Sequence, residues 1–158
     1  MMQGKKQIER SIGVNAPAEA VWQVLADSRL LPEWVPPVDA VTDCAAEGEA
    51  VGAVRHCKVT LAGTSGRMQE RCVEFVPIRR VAYVVDDESF GMRKMFDDYG
   101  FAITLEARGP DATHARLETH YTPRNPLYSL LNELVLRRRF EKVCDGIVAG
   151  LKNFAESR

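Results

Sequence analysis

The stretch VNAPAEAVWQVLADSRLLPEW (14–34) has the apolar spacing of two short helices placed end to end. In its first half, one helix face carries Ala20, Val21, Val24 and Leu25. So many apolar side chains in so short a unit require cover from another part of the chain. The pair therefore either closes a packed core or contacts a ligand.

Polar residues and prolines predict where the two helices begin and end. Asn15 is a candidate N-cap, and Pro17 has the fixed φ suited to a first helical turn. Asp27 interrupts the apolar pattern and can cap the second helix. The prolines at 36–37 end that helix because proline cannot continue the backbone hydrogen-bond ladder.

Strand patterns lie on both sides of this helical pair. KQIERSIGV (6–14) alternates apolar and polar residues before it. Further strand patterns follow it in direct succession, at 52–61, 67–76, 81–89, 101–107 and 114–122. Strands without intervening helices predict an antiparallel meander, here a sheet of six to seven strands.

One long helix is predicted at the end of the chain. Asn125 can cap it, Pro126 suits its first turn, and no proline interrupts the sequence as far as Glu156. Its predicted apolar stripe consists of Phe140, Cys144, Ile147, Leu151 and Phe154, widened towards the start by Leu127, Leu130, Leu131 and Leu134. The order of elements predicts an α+β fold in a single domain spanning 1–158.

The overall composition excludes several classes of protein. The formal net charge of −1 gives none of the basic surplus that nucleic-acid binders carry. No run approaches the roughly 18 apolar residues of a membrane span, and no apolar segment follows the basic N-terminus as in a signal peptide. The scattered cysteines, without metal-ligand spacing, favour reduced thiols and a cytoplasmic location; they are Cys44, Cys57, Cys72 and Cys144.

No strong catalytic or metal-binding motif is present, so neither a metal nor a cofactor is expected. His114 and His120 share the polar face of their strand, which predicts solvent exposure, whereas the pattern around His56 does not settle its side. The acidic pairs at 86–87 and 97–98 are expected at turns or at a rim, although one member of each could face inwards as an acid or base.

Three stretches, in this order and followed by the long helix, resemble the START-like helix-grip superfamily: VNAPAEAVWQVLADSRLLPEW, EFVPIRRVAY and LEARGPDATHARLETHYTP. The resemblance is closest to the polyketide cyclase/dehydrase and lipid-transport branch, which is related to the birch-pollen allergen. The AP-x-x-x-V-W helix start and the E-F-x-P turn are individually loose, so the order of elements carries more weight. The resemblance implies a curved sheet wrapped around the C-terminal helix, with an internal cavity between them.

The resemblance also implies a candidate site. Members of the superfamily bind lipids, sterols, polyketides or hormones, and a minority catalyse cyclisation or dehydration. Tyrosines on an inward face would be polar groups in an apolar wall, although packed core is the favoured interpretation for any one of them. The candidate lining residues are Leu31, Trp34, Phe75, Tyr83, Tyr99, Phe101, Ile103, Leu117, Tyr121, Phe140, Cys144 and Ile147.

Three features have two interpretations each. Gly146 and Gly150 either leave room for a ligand or allow close backbone packing. Arg138 either reaches the cavity mouth or faces solvent. The segment 88–100 is either a methionine-rich gate or a β-bulge at Gly91 followed by a strand.

The leading hypothesis is a cytoplasmic module that carries or sequesters a small hydrophobic molecule (a lipid, polyketide or aromatic compound), with no nucleic-acid partner. Such a module could form a homodimer. The alternative is a polyketide cyclase, aromatase or dehydratase whose acid/base groups are among Tyr83, Tyr99, Tyr121, His56 and Arg138. A fully packed scaffold for protein contacts is a third, weaker hypothesis.

Overall fold

A single antiparallel sheet of seven strands, ordered β1-β7-β6-β5-β4-β3-β2, forms the body of the computed structural model, which describes residues 2–44 and 50–158. The strands are β1 (Lys6–Val14), β2 (Val38–Asp43), β3 (Val54–Leu61), β4 (Thr64–Val76), β5 (Arg80–Glu88), β6 (Phe96–Gly109) and β7 (Ala112–Pro123). The predicted antiparallel meander is confirmed, with seven strands where six to seven were predicted.

Helices connect β1 to β2 and close the chain. Between the two strands lie α1 (Ala18–Ala26), a 3₁₀ turn (Ser28–Leu30) and α2 (Leu31–Trp34). At the end of the chain, α3 (Pro126–Leu131), a π-helical turn (Asn132–Leu136) and α4 (Arg137–Glu156) follow one another without a break. The α+β class predicted from the order of elements and the helix-grip fold implied by the resemblance are both confirmed. No helix in 2–44 or 50–158 combines the length and hydropathy needed to span a bilayer.

The strands differ from the predicted ones mainly at their ends. β2 has no counterpart among the predicted strands, because all of its residues are partly or fully exposed and its hydrophobic pattern is weak. The turn between β3 and β4 contains only Ala62 and Gly63, at φ +49° and +79°. Two left-handed residues suit the twist of a tight hairpin, so β4 begins earlier than predicted.

Two of the three predicted helix caps are confirmed. The Asp27 carboxylate accepts a hydrogen bond from the Arg29 N–H at 3.1 Å, and the Asn125 Oδ1 accepts one from the Tyr128 N–H at 2.9 Å. The prediction for Asn15 is wrong. α1 begins after Pro17 without a side-chain cap, and the Asn15 N–H donates instead to Glu156 near the end of α4.

The glycines of α4 allow close backbone packing. A Cβ atom on Gly150 would lie 1.9 Å from the Trp34 carbonyl oxygen, so α4 meets the end of α2 backbone to backbone. A Cβ atom on Gly146 would lie 3.4 Å from Pro36 Cγ, an ordinary van der Waals distance. Only Gly150 is therefore required by the close approach of the two helices.

The leucines that begin the long helix are not part of the buried stripe, so that prediction is wrong. Leu127, Leu130 and Leu134 are exposed, whereas Cys144 and Leu151 of α4 are buried as predicted. A straight α-helix would place all five on one face. The π-helical turn adds one residue, which rotates the preceding helix faces by roughly 100°.

The two glycines give a matched pair of variants. We expect Gly150→Ala to lower the free energy of unfolding by about 3 kcal/mol or more, because the new methyl group meets the Trp34 carbonyl and backbone cannot easily move. Gly146→Ala should instead raise it by up to about 1 kcal/mol through better helix propensity. Urea denaturation of both variants measures this difference, and equal effects would contradict the assigned packing.

Candidate functional site

The inner face of the sheet carries a charged pair among apolar residues. Arg55 of β3 is opposite Glu70 of β4, and both are buried. Alternation along β3 places Arg55 on the same face as Cys57 and Val59, which belong to the hydrophobic core. The charges are therefore part of the interior.

Arg55 is held by contacts from three other elements. Its Nε donates to Glu70 Oε2 at 2.6 Å, and its Nη1 donates to Ser28 Oγ of the 3₁₀ turn at 2.9 Å. Its guanidinium carbon lies 3.7 Å from the centre of the Tyr83 ring of β5, a cation–π geometry. The Tyr83 ring in turn stacks on Phe101 of β6, with ring centres 5.8 Å apart. These contacts fix the position of the Arg55 guanidinium on the inner face of the sheet.

Three buried polar side-chain atoms have no hydrogen-bond partner among residues 2–44 and 50–158. One is His120 Nε2, and the other two are the Tyr83 hydroxyl and the Trp34 indole nitrogen, on core side chains that are 2% and 5% exposed. Buried polar groups are nearly always paired, because an unpaired one loses its hydration without compensation. Each of these two atoms therefore lacks the hydrogen bond that burial normally requires.

A second group of aromatic side chains joins the sheet to the C-terminal helix. The Tyr121 ring lies 4.8 Å from Phe96, 5.8 Å from Tyr99 and 5.3 Å from Phe140, centre to centre. The Tyr121 hydroxyl donates to Asn132 Oδ1 of the π-helical turn at 2.7 Å. These rings are arranged edge to face or offset, which favours a packed aromatic wall.

Burial alters the acidity of several groups in this wall. It raises the pKa of Tyr121 to about 12, despite the opposing hydrogen bond to Asn132. It also raises the pKa of Tyr99 and that of the Cys144 thiol, whose sulfur lies 3.3 Å from Thr119 Oγ1. All three groups are protonated at neutral pH, so the wall is uncharged.

A cavity of about 740 Å³ opens where β5 and β6 separate. The two strands pair only between Arg80–Val84 and Gly100–Thr104. The apolar part of the lining is Val73, Val84, Val85, Met92, Phe96 and Tyr99, and the charged part is Arg71, Asp86, Glu88, Arg93, Lys94, Asp97, Asp98 and Arg124. Phe96 and Tyr99 are shared with the aromatic wall, so the cavity borders it. A smaller cavity, of about 360 Å³, lies between α2 and the end of α4 and is lined in part by Trp34.

The predicted lining residues all lie in the core or against it. Seven of them are buried core residues: Leu31, Trp34, Tyr83, Ile103, Leu117, Tyr121 and Cys144. Five are partly buried and pack against the core: Phe75, Tyr99, Phe101, Phe140 and Ile147. Ring contacts unite Tyr99, Tyr121 and Phe140, whereas Phe75 contacts Trp22 of α1 instead. Contact with a ligand remains a prediction for the whole set.

Sequence reasoning missed Arg55, Glu70, Ser28 and Asn132. The signal for Arg55 was its place in an inward alternation with Cys57 and Val59, which its charge obscured. No sequence pattern marks Asn132, because its burial depends on the π-helical turn.

Several other candidates lie away from the inner face. His56 alternates with Arg55 and so faces the outer side of β3. His114 and His120 are half-buried rather than exposed, and His120 Nδ1 lies 3.1 Å from the Gly4 carbonyl oxygen because the chain before β1 covers that strand. Arg138 is exposed on the helix surface.

The acidic pairs lie at a charged rim, as the favoured interpretation predicted. Asp86 accepts from Arg71 at 2.9 Å, and Asp97 pairs with Arg124 at 3.1 Å. The segment 88–100 turns at Gly91, with φ +81°, and continues through a short 3₁₀ turn (Met92–Lys94). β6 then starts at Phe96, so this segment is an ordered turn into a long strand.

The Arg55–Glu70 pair predicts unequal effects for two similar substitutions. Glu70→Gln leaves Arg55 buried without its counter-charge, so we expect the free energy of unfolding to fall by about 3–5 kcal/mol. Glu74→Gln, in the same strand, should cost less than about 1 kcal/mol, because Arg80 is partly exposed and also pairs with Glu118. Chemical denaturation measures both values. A loss at Glu70 no larger than that at Glu74 would show that the buried pair is not a structural requirement.

Comparison with known structures gives relatives of the whole fold. A START superfamily protein from Mycobacterium smegmatis superposes with a TM-score of 0.76 at 14% identity, over 97% of this chain and 99% of that one. The Zhui aromatase/cyclase from Streptomyces sp. R1128 gives 0.73 at 22% identity, over 96% and 93%. Norcoclaurine synthase from Thalictrum flavum, in complex with dopamine and hydroxybenzaldehyde, gives 0.72 at 13% identity, over 96% and 86%. At these identities the likeness establishes the fold alone.

Sequence comparison establishes the family. No curated protein sequence matches the chain. The family model described as polyketide cyclase / dehydrase and lipid transport matches residues 5–156, nearly the entire length, and agrees with the resemblance seen in the sequence. The chain belongs to the polyketide cyclase/dehydrase and lipid transport family.

Proposed function

We propose that the protein binds a small, largely apolar molecule that carries at least one hydrogen-bonding oxygen, between the inner face of the sheet and the C-terminal helix. The observation that carries this proposal is the buried Tyr83 hydroxyl, which has no partner among the described residues. A ligand oxygen beside it would satisfy the hydroxyl and recover the hydrogen bond lost on burial.

The surroundings of Tyr83 favour an aromatic or polyketide-like ligand. The Tyr83 ring stacks on Phe101, and the Arg55 guanidinium lies over it, so the hydroxyl is surrounded by aromatic and cationic groups. An aromatic ligand with phenolic or carbonyl oxygens would pack against the edges of these rings and accept a hydrogen bond from the Tyr83 hydroxyl. Family membership and the aromatase/cyclase and norcoclaurine synthase folds support the same class of ligand. Carriage or sequestration in the cytoplasm is the role proposed for this binding.

Catalysis at the same site is the second candidate function, and the buried ion pair favours it. Glu70 accepts from Arg55, and Arg55 contacts the Tyr83 ring, so a carboxylate, a cation and a phenol lie within one connected group. Such a group could move a proton during cyclisation or dehydration of a carbonyl compound. Incubation with short aromatic poly-β-ketone compounds, followed by mass spectrometry, tests this role. Loss of water from the compound in the presence of wild-type protein, but not of Tyr83→Phe, supports it. An unchanged compound leaves binding as the function.

Tyrosine-to-phenylalanine variants test the binding proposal. Tyr83→Phe removes an unpartnered hydroxyl, so the ligand-free protein should keep its stability or gain up to about 1 kcal/mol. The same variant should bind phenolic aromatic compounds about three- to tenfold more weakly, because one hydrogen bond to the ligand is lost. Displacement of anilinonaphthalene sulfonate fluorescence by a panel of such compounds measures the affinity.

Tyr121→Phe is the matched control. Both tyrosines are fully buried, but the Tyr121 hydroxyl is bonded to Asn132. We therefore expect Tyr121→Phe to cost about 1–3 kcal/mol of unfolding free energy, because the Asn132 side chain loses its partner. Unchanged affinity in Tyr83→Phe, or no saturable binding by the wild-type protein to any compound, would refute the proposal.

A further inference from the structure

An apolar surface begins the C-terminal helix and has no cover from the rest of the described chain. Its side chains, here called the leucine face, are Leu127 (69% exposed), Leu130 (56%), Leu131 (37%), Leu134 (64%) and Val135 (40%). They lie on consecutive turns of one helix, so they form a continuous apolar strip. Such strips on a surface mark contact with a partner or a membrane.

Basic residues continue the leucine face along the helix. Arg138 and Arg139 follow Leu134 and Val135 at i+4 spacing, and both are exposed. No ion pair with a residue of 2–44 or 50–158 involves either of them. The nearby carboxylates of Glu133 and Glu141 are already paired with Arg137. The end of the leucine face is therefore positively charged.

The leucine face is preformed rather than induced by a partner. Asn125 caps the helix at its start, and the buried Tyr121–Asn132 hydrogen bond fixes the helix in its middle. Arg137 donates to the Gln7 carbonyl oxygen of β1, which fixes it further along. A contact through this face carries no cost for folding a helix.

We propose that the leucine face docks on the surface of an anionic lipid bilayer. An exposed helix with aliphatic side chains on one side and arginines beside them matches an interfacial helix, whose apolar groups enter the acyl boundary while the cations meet lipid phosphates. Arg138 and Arg139 supply that charge complementarity. The proposal is independent of what the interior of the protein binds.

A second copy of the chain fits this surface less well. A two-fold contact through the leucine face pairs the same surface of both copies. The leucine face and its neighbours Arg138 and Arg139 contain no acidic group, so with either helix orientation the arginines would be buried without a counter-charge from this surface of the other copy. In a bilayer of anionic lipids, the lipid phosphates attract the same two arginines.

Co-sedimentation with vesicles tests the proposal on the full-length chain. We expect binding to phosphatidylcholine vesicles that contain about 30% phosphatidylglycerol, little binding to phosphatidylcholine alone, and weaker binding at higher salt. Leu130→Ser combined with Leu134→Ser should abolish binding. Arg138→Gln combined with Arg139→Gln should weaken it by about tenfold or more, since each basic residue near the surface contributes to attraction.

Matched variants separate docking from general surface effects. Val51 is 65% exposed away from the helix, so Val51→Ser should leave vesicle binding unchanged. All variants change exposed side chains, and circular dichroism should give the wild-type melting temperature. No binding of the wild-type protein to anionic vesicles, or equal binding by the leucine variant, would overturn the proposal. A wild-type dimer that the leucine variant converts to a monomer, without vesicle binding, would also overturn it and assign the face to self-association.

Discussion

The buried contact between Arg55 and Glu70 is the constraint around which the interior is arranged. Two charges removed from water are tolerated only with good geometry and further hydrogen bonds. Ser28 supplies one of these bonds, and the Tyr83 ring supplies a cation–π surface. The strands β3, β4 and β5 and the turn before α2 must therefore keep their mutual positions, or a charge is left uncompensated. The buried pair therefore constrains the positions of these elements and also makes part of the interior polar.

The helical pair of residues 14–34 also takes part in the contacts of Arg55, because Ser28 lies between its two helices. Its end packs on α4 through the Trp34 carbonyl at Gly150, while Ser28 reaches the guanidinium of Arg55. Most of its apolar residues serve the core, as Val21, Val24 and Leu25 illustrate. The pair therefore packs against the rest of the fold along its length, and it contacts the polar interior at the break between its two helices.

The order of elements could be predicted from sequence because alternation and helical spacing report which faces are buried. Details that depend on contacts between distant parts of the chain could not be predicted in this way. Arg55 has the inward position of its strand, yet a charged side chain there suggests a surface until Glu70 and Ser28 are known to meet it. The leucines of α3 continue the apolar stripe of α4 in sequence, and only the extra residue of the π-helical turn turns them outwards. β2 was missed because an exposed edge strand carries little hydrophobic pattern.

The π-helical turn divides the long C-terminal helix into two independently variable halves. After Arg137, a substitution must respect the packing against β1 and α2, as the closeness of Gly150 and Trp34 shows. Before Asn132, the outward residues touch little of the chain, so their character can change without disturbing the core. A single fold can in this way keep one interior while its outer surface adapts to different surroundings.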